Sequence, residues 1–312
     1  MQRDPWAAQI ELDAASARSL LAAQFPQLAP ETIRPLGQGW DNAAFVVNGS
    51  YVVRFPRRSI AAQLIATECA ILPMLAPLLP LVIPAPTIRG EPSAAFPWPF
   101  AGYRLLPGES LSALRPSDAA CEALVGPLGA FLRALHAVDA GPALAAGLPA
   151  DELGRLDRAR TMPKLCARLE ELRVAGFAHE TRLAAAYLER VATRHPASIG
   201  RCVVHGDLYA RHILVDETLR PIAVIDWGDV HFGDPAVDLS IAFSVLPGHL
   251  RGAFFDAYGG ADERTIELAR YRAVYHSALV AHYGCRIGDA DLLYAGLLGL
   301  RQGCADGEGV GP

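Results

Sequence analysis

The stretch VVHGDLYARHILVDETLRPIAVIDWGDVHFGDPAVDLS, residues 203–240, constrains the fold more than any other part of the chain. Its apolar runs are short and rich in valine and isoleucine, which suits short strands and is too little for a buried helix. CVVHGD, HILVD and PIAVID therefore read as strands between Cys202 and Asp226 that carry polar residues at their ends. The surroundings are helical in character. Ala/Leu/Arg-rich segments predict helices over 117–138, 162–175, 179–194, 263–282 and 289–301, so a small strand insert must sit inside a helical body.

Ahead of Pro107-Gly108 the pattern differs. Ile10, Ala14, Ala17, Leu20 and Leu21 recur at helical spacing and predict an amphipathic helix over 6–25. Strands are expected over 33–36, 43–47 and 51–55, the last two joined by an Asn48-Gly49 hairpin. A helix over 59–75, a proline-broken connector and strands near 87–89 and 101–105 complete this part. At 312 residues the chain exceeds one ordinary core of roughly 150 residues. Two lobes are expected, 1–106 and 107–312, with a cleft between them, and a disordered Gly-rich tail over 303–312.

Composition removes several classes of function. A formal charge of -5 and a pI near 6.0 lack the positive field of a nucleic-acid binder, so no nucleic-acid partner is expected. The six cysteines include no CxxC pair, which suits reduced buried thiols. The apolar run 71–86 is broken by five prolines and falls short of the roughly 20 residues that span a bilayer. The first turns mix acids and proline, unlike a secretory signal, so a cytoplasmic location without membrane association is expected.

Asp207 and Asp226 end two of the strands, with His212 between them. Phosphoryl transfer needs a carboxylate to orient or deprotonate the acceptor hydroxyl, ligands for magnesium, and cations for the phosphates. These residues supply the first two. Aspartates often end strands simply as turn residues, but two such ends followed by Asp234 and Asp238 favour the chemical reading.

HGDLYARHILVD resembles the HGDxxxxN catalytic loop of the aminoglycoside phosphotransferase family, and VIDWGD resembles that family's counterpart of the kinase DFG segment. The resemblance implies an α+β, bilobal protein-kinase-like fold with a small antiparallel-sheet N-lobe and a larger, mainly helical C-lobe. It also implies ATP or GTP as co-substrate, Asp207 as catalytic base and Asp226 as a magnesium ligand. DPAVDL matches as well, so Asp234 and Asp238 are expected to brace the catalytic loop. The family has asparagine where this chain has His212, a replacement similar to that in macrolide phosphotransferases. Magnesium prefers oxygen ligands, which leaves His212 as a metal ligand, a holder of metal-bound water or a structural histidine. Arg211 is a candidate for the transferred phosphate or for the surface.

In LGQGWDNAAFVV, Gly37 and Gly39 let a backbone approach phosphates; by the kinase-like resemblance Asn42 takes the place of a third glycine, and asparagine tolerates a left-handed backbone. The following YVVRFPRR alternates so that Val52 and Arg54 share a face. By resemblance Arg54 replaces the phosphate-pairing lysine in a chain whose only lysine is Lys164, and Val52 packs on the base. Glu68, the only acid of its helix, is the expected partner of Arg54. The segment 103–106, with Tyr103 and Leu105, would form the hinge that offers backbone groups to the base. The histidine of FLRALHAV reads as a hydrogen-bonded structural residue.

The acceptor stays open. No room exists between Asp226 and Asp238 for the long activation segment of a protein kinase, which favours a small hydroxylated acceptor. Negative charge concentrates after residue 106, and Asp229, Asp256, Asp262, Glu263, Glu267, Asp289 and Asp291 suit either an acidic pocket for an amine-bearing molecule or a solvated surface. An aminoglycoside, a macrolide and an amino alcohol or sugar fit the same motifs. A non-catalytic nucleotide-binding module is the alternative of another class, and the oligomeric state is not read from the chain.

Overall fold

The computed structural model describes residues 8–38, 41–192, 197–198 and 200–305. The first helix, α1 (Ala14–Gln24), starts later than the apolar periodicity predicts, because the Asp13 carboxylate accepts from the Ser16 N–H and caps it. Residues 8–13 are irregular, and the beginning of the expected helix, with Trp6, lies outside the described residues.

Next come β1 (Ile33–Gln38), β2 (Asn42–Val47), β3 (Tyr51–Pro56), α2 (Ser59–Leu75), β4 (Ile88–Gly90) and β5 (Phe100–Arg104). The five strands form one antiparallel sheet in the order β1-β2-β3-β5-β4. Asn48 and Gly49 both adopt positive φ, 49° and 63°, the conformation a two-residue hairpin turn demands. One face of the sheet, with Val53, Phe55 and Phe100, packs against Leu20 and Leu21 of α1. Phe55 and Phe100 stack with centroids 4.6 Å apart, so truncating either to alanine would cost roughly 3–5 kcal/mol. Val52 and Arg54 turn to the opposite face, where Ala101, Tyr103 and Ile65 of α2 form a smaller cluster.

Helix α2 links the two lobes. Its later turns contribute Ile71, Leu72 and Leu75 to the core of the large lobe, and the connector adds Leu81 and Ile83. The connector also pairs there directly: the Val82 N–H donates to Ile222 C=O, and the Val224 N–H donates to Val82 C=O. Residues 59–78 are long and apolar enough to cross a membrane, with a mean hydropathy of 1.6, so the apolar stretch begins earlier than 71–86. The fully buried Glu68 at its middle, and the burial of Ile65, Ile71 and Leu72 against sheet and core, are the features of a core helix.

The large lobe runs β6 (Glu109–Ser110), α3 (Leu111–Leu114), α4 (Glu122–His136), α5 (Ala140–Ala145), α6 (Arg158–Val174), α7 (Ala178–Arg190), β7 (Cys202–Val204), β8 (Ile213–Val215), β9 (Pro221–Val224), β10 (His231–Gly233), α8 (Ala236–Leu239), α9 (Ile241–Ser244), α10 (Arg251–Tyr258), α11 (Glu263–Ile287) and α12 (Ala290–Cys304). β8 pairs with β9 and β6, while β7 pairs with β10, a strand whose three residues carry no clear alternation. α11 is the central strut, packed on α6, α8, α9 and α12. Gly303 and Cys304 complete α12 instead of opening a disordered tail, and residues 306–312 lie outside the described residues. All six cysteines are free thiols, and Cys166 is exposed where burial was expected.

Candidate active site

The loop after β7 carries Asp207, and its shape depends on Gly206. That residue has φ 89°, and a Cβ there would lie 2.2 Å from the Asp229 carbonyl oxygen, so the HGD motif needs its glycine. Asp238, fully buried, accepts from the backbone N–H groups of His205 and Gly206 at 2.7 and 2.9 Å. His136, the histidine of FLRALHAV, sits 3.2 Å from Asp238 through Nε2 and 3.0 Å from the Tyr258 hydroxyl through Nδ1. Asp234 works one layer out: it accepts from Gly200 N–H, Ala236 N–H and the Ser198 hydroxyl and pairs with Arg264. His205 receives the Asp207 N–H on Nδ1 and bonds the Ile225 carbonyl through Nε2, tying the two acidic strand ends together. Burial holds its imidazole below the ordinary histidine value despite Asp238.

Asp226 follows β9 with φ 62°, a left-handed backbone that aspartate tolerates and that turns its carboxylate into the cleft. His212 joins the two aspartates. Its Nδ1 lies 2.8 Å from the Asp207 carbonyl oxygen, where the N–H donates, and its Nε2 lies 3.4 Å from Asp226 Oδ2. With Nδ1 protonated, Nε2 and Asp226 Oδ2 are two acceptors facing each other, an arrangement that suits a cation between or beside them. Burial pushes the Asp226 carboxyl up, but Arg54 outweighs it and holds the group below the usual value. For Asp207, burial again opposes ionisation, and the neighbouring His276 as donor, with Arg272, overcomes it and holds the carboxyl below the usual range.

From the small lobe, Arg54 reaches Glu68 at 3.0 and 3.1 Å and Asp226 at 2.9 Å, spanning the cleft. The Tyr103 hydroxyl donates to Glu68 Oε2 at 2.6 Å, so its side chain supports the ion pair and does not face a base. Burial pushes the Glu68 carboxyl up, against the pull of Arg54. Val52 shares the cleft face with Arg54. The Leu105 N–H donates to the Ser50 carbonyl and is therefore not offered to a ligand; strand alternation turns the Arg104 carbonyl to the other edge.

One expectation needs correction. Asn42 is not left-handed: it opens β2 as a buried strand residue, with Oδ1 lacking a hydrogen-bond partner among the described residues. Gly37 sits in β1 just past a bulge, and Gly39 lies outside the described residues. Arg211 points away from the carboxylates, to Asp289 at 3.1 Å.

Four of the seven acidic residues named above have partners of their own. Asp229 binds Arg155, Asp262 caps α11, Asp289 caps α12 and holds Arg211, and Asp291 pairs with Arg115. Around Asp207 and Asp229 stand three residues that the motif reading missed. His276 Nε2 lies 2.9 Å from Asp207 Oδ1, Arg272 lies one turn earlier on α11, and Arg155 bridges Asp151 and Asp229. The signal for the first two was a histidine and an arginine four apart on a helix face otherwise made of Leu268, Ala269 and Ala273.

Comparison with known proteins bears on this geometry. The model of the phosphotransferase enzyme family matches residues 32–274. A viomycin phosphotransferase of Streptomyces vinaceus is 37% identical over 103 residues, 32% of this chain and 36% of that protein, so the chain spans about a third of the curated relative it matches. Among solved structures, the GDP complex of wild-type aminoglycoside 2'-phosphotransferase-IIIa superposes with a TM-score of 0.66 at 23% identity, covering 94% of this chain and 99% of that one. Macrolide 2'-phosphotransferase MphH from Brachybacterium faecium gives 0.57 at 25% identity, covering 91% and 98%. Both share the bilobal architecture described above.

Proposed function

The chain belongs to the phosphotransferase enzyme family, and on that premise we propose that it transfers the γ-phosphate of ATP or GTP to a hydroxyl of a small, antibiotic-like acceptor. One observation carries the reading: Asp207 and Asp226, from separate strand ends, meet around His212, while Arg54 crosses the cleft to Asp226. Asp207 is the group to orient the acceptor hydroxyl and receive its proton as the phosphate is transferred. Asp226 and His212 Nε2 would hold magnesium, whose chemistry when bound is neutralisation of charge on the phosphate oxygens. Arg54 is placed for the phosphates, with Glu68 and Tyr103 fixing its direction. Val52 would pack on the base, and the Arg104 carbonyl would bond its edge.

Viomycin, aminoglycosides and macrolides are the acceptors that the relatives' names suggest. The neutralised acidic residues weaken the case for a strongly polycationic molecule and favour an acceptor held by shape and hydroxyl contacts. The test is acceptor-stimulated nucleotide consumption across viomycin, an aminoglycoside and a macrolide, with the phosphorylated product identified by mass. Asp207→Asn should lower turnover by about 10²–10⁴-fold. Equal turnover in that variant would remove Asp207 from the chemistry, and nucleotide binding without product from any hydroxylated acceptor would leave a binding module.

A further inference from the structure

The two oxygens of the Asp207 carboxylate are in different situations. Oδ1 has His276 Nε2 at 2.9 Å, whereas Oδ2 is 3.8 Å from His212 Nδ1, which spends its N–H on the Asp207 carbonyl. The terminal torsion of an aspartate is soft, so a carboxylate without an anchor samples many directions. A neighbour on one oxygen gives the other a single direction.

We propose that His276 is a positioning residue for phosphoryl transfer, its Nε2–H holding Oδ1 of Asp207 so that Oδ2 faces the acceptor hydroxyl; this rests on the phosphotransferase reading above. Three features argue that the imidazole is there for Asp207. First, the Asp207 carboxylate, with Oδ1 2.9 Å from Nε2, is the charged group its ring meets directly. Second, its ring packs edge-on against Tyr209 at 5.2 Å, and Tyr209 packs against His212 at 4.4 Å. The Tyr209 ring thus separates the two histidines that flank the catalytic loop and sets their spacing. Third, His276 is carried by α11, the helix packed on α6, α8, α9 and α12, which is a stiffer support than a loop.

The charges around the ring agree with a donor that stays neutral. Asp207 and His212 face it from the catalytic loop, the Tyr209 phenol packs beside it, and Arg272 stands one turn away on its own helix, only 5% exposed. Burial and Arg272 lower the imidazole's affinity for a second proton, and Asp207 opposes them less strongly. A neutral imidazole donates one N–H without placing a full counter-charge on the base. That leaves the carboxylate anchored and still able to accept a proton on its other oxygen.

The experiment uses the full chain with MgATP and MgGTP, read both with water as acceptor and with the acceptor panel. Misplacing a catalytic group by about 1 Å costs on the order of 10²-fold. His276→Leu should therefore lose about 10–100-fold in kcat, with KM for the nucleotide changed by less than about two-fold, because the nucleotide is gripped from the Arg54 and Asp226 side. His276→Gln, whose amide nitrogen reaches about as far as Nε2, should recover most of that loss. Should leucine prevent folding, His276→Asn, too short to reach Oδ1, takes its place.

A readout independent of turnover is the ¹⁵N spectrum of the wild-type imidazole, expected to be neutral and protonated on Nε2. The proposal falls if His276→Leu keeps kcat within about two-fold, if the glutamine and leucine variants are equally impaired, or if the ring is protonated on Nδ1. A wild-type chain that phosphorylates nothing and hydrolyses no nucleotide would instead refute the phosphotransferase reading, and the role of His276 with it, even where the Nε2–H form is found. An active wild type with an unaffected leucine variant would refute the role of His276 alone.

Discussion

Replacing Arg54 by methionine leaves Glu68 buried with one remaining hydrogen bond. Glu68 has no exposed surface, and its carboxylate is held by Arg54 at 3.0 and 3.1 Å and by the Tyr103 hydroxyl at 2.6 Å. Removing one partner of a buried ion pair strands the other charge at a cost of about 3–5 kcal/mol. Replacing both by apolar residues of similar volume is often near neutral. Arg54→Met should thus lose about 3–5 kcal/mol, and Arg54→Met with Glu68→Leu should regain at least about 2 kcal/mol of it, while neither binds nucleotide normally. The pH dependence has a definite sign. Burial lifts the folded-state pKa of Glu68 above its unfolded value, more so without Arg54, so the folded chain holds that proton more tightly. The penalty is therefore full above the folded-state pKa and shrinks as pH falls toward the unfolded value. Urea unfolding followed by circular dichroism at about pH 8 and about pH 5 measures both effects. A single variant within about 1 kcal/mol of the parent at about pH 8, or a double variant less stable than the single one, would refute the reasoning.

Gly206→Ala sets a Cβ 2.2 Å from the Asp229 carbonyl oxygen at φ 89°, so the loop must move; a stability loss above about 3 kcal/mol and collapse of turnover are expected in thermal unfolding and phosphotransfer assays. Asp229, pushed up to about 6 from 3.8 by burial and by Asp207, outweighing Arg155, costs stability as pH rises through that window. Asp229→Asn should flatten the corresponding fall in unfolding free energy, and an unchanged pH slope would contradict the assignment.

Much of this site could be read from the chain because its parts are local. Asp207 and Asp226 close short strands inside one continuous segment, and strand alternation alone puts Val52 and Arg54 on one face. Glu68 was identifiable as the sole acid of α2, a residue that an otherwise apolar helix keeps only with a partner. Other features depend on packing that no local pattern encodes. His276 and Arg272 reach Asp207 only because α11 crosses the large lobe beneath the catalytic loop, and their spacing alone looks like any helix face. Of the acidic residues left between a pocket and a solvated surface, Asp262, Asp289 and Asp291 are helix caps or arginine partners, which charge counting cannot detect. The late start of α1 was visible in principle, since Asp13 followed by Ser16 is a capping pattern, but the apolar periodicity upstream concealed it. Leu105 was a natural hinge donor by position until the ladder with Ser50 fixed which way its N–H points.

Nucleotide binding by calorimetry, with and without magnesium, in Asp226→Asn and Asp207→Asn examines the shared site most directly. The magnesium-dependent part of the affinity should vanish in Asp226→Asn and survive in Asp207→Asn, which should bind while turning over about 10²–10⁴-fold more slowly. Magnesium dependence equal to wild type in Asp226→Asn, or full turnover in Asp207→Asn, would contradict the joining of these two carboxylates in one phosphotransfer centre.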